Sequence, residues 1–157
     1  MAGRGGDSGR RAVDEAWLES KGAVAYEFLQ DRVYYVSLPS SPPPHVCHAA
    51  HFFSVDSQLV YWNFFLDFGP LNLGQLYRFS EALNRKLTDQ RLKDKRIYFY
   101  SSTNPNHRSN AAVLICAWSV IYLQRTAAEA YAPFRGIRPV FKPFHDATPV
   151  ACTYKLT

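Results

Sequence analysis

Cysteine is scarce and scattered in this chain. Cys47, Cys116 and Cys152 form an odd, widely spaced set with no Cys-x-x-Cys pair. The cysteines and histidines do not combine into a zinc-ligand pattern, so no structural metal and no cofactor is expected. Cys116 falls in the most apolar stretch, where a thiol behaves as a small hydrophobe. Unpaired thiols suit the cytosol or nucleus. Long apolar runs are also missing. The longest, Ala111 to Leu123 interrupted by Ser119, is too short to span a bilayer. The N-terminus is rich in Gly and Arg without an apolar segment, so neither a signal peptide nor a membrane partner is expected. Charge of one sign is not concentrated. The 18 Lys and Arg against 13 Asp and Glu leave a net charge of +5, and Arg4, Arg10 and Arg11 supply part of it. A nucleic-acid module shows a dense basic stripe. The nearest approach here, Arg85-Lys86 and Arg91 to Arg96, reads as a solvated helix end and loop, so no nucleic-acid partner is expected.

What is present is aromatic. Hydrophobic residues make up 47% of the 157 positions, with ten Tyr and eleven Phe. That composition lies far from disorder and supports one domain with a buried core. Residues 1–22, rich in Gly, Arg and Ser, read as a disordered tail, with Ala16-Trp17-Leu18 able to dock locally. The domain then occupies residues 23–157.

Arg32 to Leu38 reads as a first strand. Pro39 to Pro44 breaks it with four prolines in six residues, either a rigid loop or a partner-binding segment. His51 to Ser54 and Leu59 to Trp62 read as a hairpin turning at Asp56-Ser57. Asp67 to Pro70 is a turn in which Gly69 supplies an unusual backbone angle. Leu73, Leu76, Tyr77, Ser80, Leu83 and Leu87 recur at helical spacing, predicting a helix from Leu71 to about Leu87. Arg96 to Tyr100 is a short central strand. Asn110 would cap an apolar helix running to Leu123. Thr126-Ala-Ala-Glu129 is a capping box that opens a short helix ending before Pro133. The proline-punctuated remainder is irregular, and Tyr154 to Thr157 reads as cut inside an element. Alternating strands and helices predict an α/β domain with a central, mostly parallel sheet flanked by helices.

One heptamer carries chemistry: Ser102-Thr-Asn-Pro-Asn-His-Arg108, followed by Ser109. Strand, tight loop and helix N-terminus form an anion-binding architecture. A cysteine-dependent phosphatase places there a thiolate nucleophile, a glycine three residues on, and an arginine six residues on that clamps phosphoryl oxygens. Arg108 and Ser109 fit that pattern. Ser102 stands in the nucleophile position, and Pro105, which has no N–H and a fixed φ, stands where glycine belongs. The loop is therefore a degenerate phosphate loop with no catalytic residue. Three further readings stay open. His107 is either catalytic or a solvent-facing loop histidine. Arg108 either holds an anion or bonds loop carbonyls. His145-Asp146 is either an acid pair or a loop turn.

Glu27-Phe-x-x-Asp31-Arg32, His51-Phe-Phe-Ser-Val-Asp56 and Asn63-Phe-Phe-x-Asp67-Phe-Gly-Pro-Leu-Asn-Leu73 are specific segments. So are Asn110-Ala-Ala, Val120-Ile-Tyr-Leu123, Glu129-Ala-Tyr131, Pro143-Phe-x-Asp146-Ala147 and Cys152-Thr-Tyr154. Together, over residues 24 to 157, they resemble the N-terminal noncatalytic domain of the mitotic-exit, cell-division-cycle-type dual-specificity protein phosphatases. The resemblance implies a dual-specificity-phosphatase-like fold with a degenerate phosphate loop, cut before a linker helix and a C-terminal catalytic domain. It implies a substrate-positioning role in proline-directed dephosphorylation of phosphoproteins during the cell cycle. The alternative is a stand-alone pseudophosphatase that binds or scaffolds partners. By the same resemblance the location is cytoplasm and/or nucleus, with spindle or centrosome association. Glu27 and Asp31 match acidic positions of the family's substrate groove. Asn104 stands where the family's loop carries an Asp, which removes a negative charge from that groove.

Overall fold

The computed structural model describes residues 5–150 and 152–156, with side chains from residue 13 onward. Helix α1 (Gly5–Ser20) precedes strands β1 (Ala25–Leu29) and β2 (Val33–Leu38). Helix α2 (Pro44–Ala49), strand β3 (His51–Phe53), helix α3 (Leu73–Thr88) and strand β4 (Ile97–Ser102) follow. Helices α4 (Pro105–Leu123) and α5 (Ala127–Tyr131) come next, then the short strands β5 (Phe144–His145) and β6 (Thr153–Tyr154). The main sheet has the order β1-β2-β4-β3. The β2–β4 and β3–β4 pairs are parallel and β1–β2 is antiparallel. The expected α/β architecture, a mostly parallel sheet flanked by helices with β4 inside it, is what the chain forms.

Strand alternation divides the core in two. Val33, Tyr35, Ile97 and Phe99 face α3, α4 and the Phe134 region. Tyr34, Val36, Leu38, Tyr98 and Tyr100 face the opposite side, where Trp17 and Leu18 of α1 pack. The expected tail over residues 1–22 is thus corrected over residues 5–20, and residues 1–4 lie outside the described residues. Leu18 is buried, and the Trp17 ring meets Phe52 edge-on at 6.0 Å. The Tyr98 hydroxyl donates to Asp14 at 2.9 Å, and Arg96 pairs with Glu15 at 2.6 Å. The burial that α1 needs is supplied by a sheet face far away in sequence, which composition does not reveal.

Four local expectations change. The stretch from residue 25 to 29, read as no element, is β1, hydrogen-bonded to β2. The hairpin over residues 51–62 does not form. β3 pairs in parallel with β4, and the chain then turns back through Gln58 and Leu59, whose N–H groups both donate to the Val55 carbonyl. Phe68 instead exchanges backbone bonds with His145 at 2.9 and 2.8 Å. Gly69 has no left-handed φ. It is small because the Tyr61 ring lies 3.0 Å from where a Cβ would stand. Finally, α4 begins at Pro105 with Asn104 as its cap, more than a turn before Asn110. Proline at the first helical position needs no N–H partner. Asn110 is buried and accepts from the Leu71 N–H at 3.2 Å.

Helix α3 is capped as a box by Asn72 and Gln75 and buries Phe79, Ser80 and Leu83. Leu73 and Tyr77, assigned to its apolar face from spacing, are exposed. The Thr126–Glu129 capping box forms at the start of α5 as expected.

Candidate functional site

The degenerate loop joins the C-terminal end of β4 to α4, where open α/β sheets place ligands. Four of its backbone N–H groups are already committed. The Ser102 N–H donates to Asp56 Oδ2 at 2.7 Å. The Asn104 N–H donates to Ser102 Oγ at 3.3 Å, and the Asn106 N–H to Asn104 Oδ1 at 2.8 Å. The Arg108 N–H donates to the Asn104 carbonyl at 3.0 Å. Pro105 has none to offer. A working phosphate cradle needs such donors free and convergent. Here an internal carboxylate, two of the loop's own side chains and the Asn104 carbonyl take four of them.

Asp56 is the residue the sequence reading missed. It reaches Ser102 across 46 positions, and no local pattern flags such a contact. It also brings serine, histidine and aspartate together. Ser102 Oγ lies 2.7 Å from His107 Nδ1, and that same nitrogen lies 3.3 Å from Asp56 Oδ2. A proton relay needs the two partners on opposite ring nitrogens. Both sit on Nδ1, so the cluster latches the loop and does not activate Ser102. His107 is therefore partly buried and bonded, and not a free loop histidine.

Arg108 is tied to the segment after α5. It is only 5% exposed, its Nη2 donates to the Pro139 carbonyl at 2.7 Å, and its guanidinium stacks over Phe141 at 5.2 Å. Ser109 Oγ donates to the Lys142 carbonyl at 2.8 Å. The arginine and serine of the phosphatase pattern thus hold down the 137–142 segment. Asp146 accepts from the Thr148 hydroxyl, the Thr148 N–H and the Cys152 N–H at 2.6, 3.2 and 3.1 Å. The Thr148 hydroxyl bond leads in holding its pKa below the ordinary value, so it organises a turn and is no proton donor near neutrality.

Glu27 and Asp31 lie near one end of β2 and Asn104 near the other, and none of the three lines either cleft described below. Asp31 precedes Val33, the β2 residue paired with Ile97, whereas Asn104 follows Ser102, which pairs with Leu38. Those two ends of β2 are separated by about 17 Å of strand rise. Glu27 is used locally, its Oε1 accepting from the Asp31 N–H and the Tyr34 hydroxyl, both at 2.8 Å.

Two clefts flank the loop. One, of about 390 Å³, is lined by Asp56, Asn106, His107, Tyr61, Phe65 and Lys142. The other, of about 350 Å³, includes Thr103 and Arg108. Beside the first, residues 61–67 form a tied loop. Asp67 Oδ1 accepts from the Phe64 and Phe65 N–H groups at 2.8 Å, and Oδ2 accepts from the Tyr61 hydroxyl. The loop nevertheless displays Trp62 at 87% and Phe64 at 94% exposure, beside exposed Phe65 and Leu66.

No thiol replaces the missing nucleophile. Burial pushes the Cys116 thiol up to about 12, while Cys47 and Cys152 are exposed and neither lines the clefts beside the loop. A thiol reagent on the folded chain is expected to label Cys47 and Cys152 within minutes and Cys116 only on unfolding, as read by peptide mass spectrometry. Among the described residues no group of three His, Cys, Asp or Glu is placed to hold a metal ion.

Residues 27–157 match the family described as dual specificity protein phosphatase, N-terminal half. The chain belongs to this family. It is 46% identical over 134 residues to dual specificity protein phosphatase CDC14A of Homo sapiens, covering 85% of this chain and 22% of that protein. It is 48% identical over 134 residues, with the same coverage, to CDC14AB of Danio rerio. Tyrosine-protein phosphatase CDC14 of Saccharomyces cerevisiae is 36% identical over 121 residues, 77% of this chain and 22% of that protein. The chain therefore spans about a fifth of the length of the curated relatives it matches.

Proposed function

We propose that this CDC14-type N-terminal domain is noncatalytic and positions phosphoprotein substrates for a C-terminal catalytic phosphatase domain in the full-length protein. The observation that carries the reading is the state of the loop. Four of its amide donors are bonded internally, Asp56 taking the Ser102 N–H, and Arg108 is tied to Pro139. A nucleophile and an anion cradle are both lacking at the one place where this fold would perform phosphoryl chemistry. The exposed Trp62, Phe64, Phe65 and Leu66 support a docking role, since contiguous apolar surface of this kind is normally covered by a partner. The catalytic domain is the occupant we assign to it. A cell-cycle role in the cytoplasm or nucleus accords with the family.

The 157-residue chain is expected to show no hydrolysis of p-nitrophenyl phosphate above buffer. Turnover that disappears on Arg108→Ala would overturn the reading.

A further inference from the structure

The second cleft has an electrostatic character that the degenerate loop alone does not suggest. Lys21, Arg108 and Arg138 line it, together with Thr103 and Tyr26, and among the described residues no Asp or Glu lines it. The three cations come from different parts of the chain: the end of α1, the first turns of α4, and the segment after α5. Lys21 and Arg138 are exposed, and neither forms an ion pair among the described residues.

Arg108 makes the stronger argument. Burying a guanidinium without a counter-charge is unfavourable, and buried arginines are normally paired. Arg96, the comparable half-buried case, is held by Glu15 at 2.6 Å and Asp14 at 3.7 Å. Arg108 is 5% exposed, and among the described residues its partners are the Pro139 carbonyl and the Phe141 ring, with no carboxylate. Its positive charge acts on Tyr26 and Tyr35, the two phenols beside it in the cleft wall. Burial, the leading effect, keeps both above the ordinary phenol value, so Tyr26 remains an O–H donor at neutral pH. The cleft therefore presents an uncompensated buried cation, two free surface cations and hydroxyl donors around an open volume. That is the chemistry that recognises an oxyanion.

We propose that this cleft, built on Lys21, Tyr26, Thr103, Arg108 and Arg138, binds a phosphoryl group carried on a protein segment. It is a binding site without chemistry, because among the described residues no cysteine lines it and no His, Asp or Glu is there to activate its hydroxyls. It shares no lining residue with the Asp56–His107 cleft. The oxyanion chemistry rests on the cleft itself. The protein carrier rests on the reading that the domain serves a protein phosphatase. A substrate bearing a second phosphate could then be held here while the first is processed elsewhere.

The test is titration calorimetry of the 157-residue chain at low salt with four probes. These are inorganic phosphate, a short phosphoserine peptide, the same peptide unphosphorylated, and a soluble inositol phosphate as the headgroup alternative. The phosphopeptide is expected to bind, its unphosphorylated form not to bind, and phosphate to compete. The double variant Lys21→Ala with Arg138→Ala, both at exposed positions that leave the fold intact, is expected to weaken phosphopeptide binding about tenfold. Arg78→Ala, outside the cleft, is expected to leave it unchanged. Equal binding of the two peptides, no binding of the phosphopeptide, or equal affinity of wild type and double variant would overturn the site. Tighter binding of the inositol phosphate than of the phosphopeptide would overturn the protein carrier. The outcome separates cleanly from the hydrolysis assay. Failure to bind with no turnover sinks only this site, whereas turnover with binding intact sinks only the noncatalytic reading.

Discussion

Phe134→Ala is expected to destabilise the chain by about 3–5 kcal/mol, the usual range for emptying a buried aromatic position. Phe134 has no exposed surface and sits where several elements meet. Its ring lies 5.1 Å from Phe28, 5.4 Å from both Tyr26 and Tyr35, 5.1 Å from Phe141 and 6.1 Å from Tyr131. Alanine would leave a cavity bounded by stiff rings on strands, which relax poorly into the space. It would also release Phe141, the ring on which Arg108 stacks. Urea unfolding followed by far-ultraviolet circular dichroism would measure the loss, and the melting temperature should fall by roughly 10 °C. Phe64→Ala is the control. That side chain is 94% exposed, and its removal is expected to change stability by less than about 0.5 kcal/mol. A loss below about 1 kcal/mol for Phe134→Ala would contradict the packing described.

Asp56→Ala is expected to destabilise by about 1–3 kcal/mol, with its effect centred on the loop. The carboxylate accepts the Ser102 N–H at 2.7 Å and stands 3.3 Å from His107 Nδ1. Without it, an amide at the end of a central strand loses its partner, and the contact from the β3 side to α4 is broken. Amide hydrogen exchange should rise over residues 102–107 and stay low in β2. His107→Ala is expected to share part of the same energy, so the double variant should cost less than the sum of the singles. Strict additivity would show that the two side chains do not act as one latch.

The loop illustrates how far local chemistry can be read. Ser102 in place of a thiolate and Pro105 in place of glycine are visible one residue at a time, and each disables a cradle by its own covalent nature. The cap of α4 was harder. Both Asn104 and Asn110 suit an N-cap, and the decision depends on whether Pro105 continues the loop or starts the helix. Pro105 starts it, and Asn110 turns inward to bond Leu71. Leu73 and Tyr77 show the reverse error. Their spacing fits an apolar stripe, yet the helix rests on Phe79 and Leu83, and those two side chains face outward.

Three things were determined by sequence alone: an α/β chain, the Thr126–Glu129 capping box, and a phosphate loop without a nucleophile. Each follows from residue type and short-range spacing, because caps, turns and strand propensity act over a few positions. Tertiary structure alone decided that residues 5–20 form a helix, that Asp56 latches the loop, and that Glu27 and Asp31 lie far from Asn104. It also decided that Arg108, left open between an anion holder and a structural arginine, lies buried on the Pro139 carbonyl with no acid beside it among the described residues. Those facts depend on contacts between residues tens of positions apart. Burial and charge pairing are properties of the packed surface, and no local pattern encodes which surface a side chain will meet.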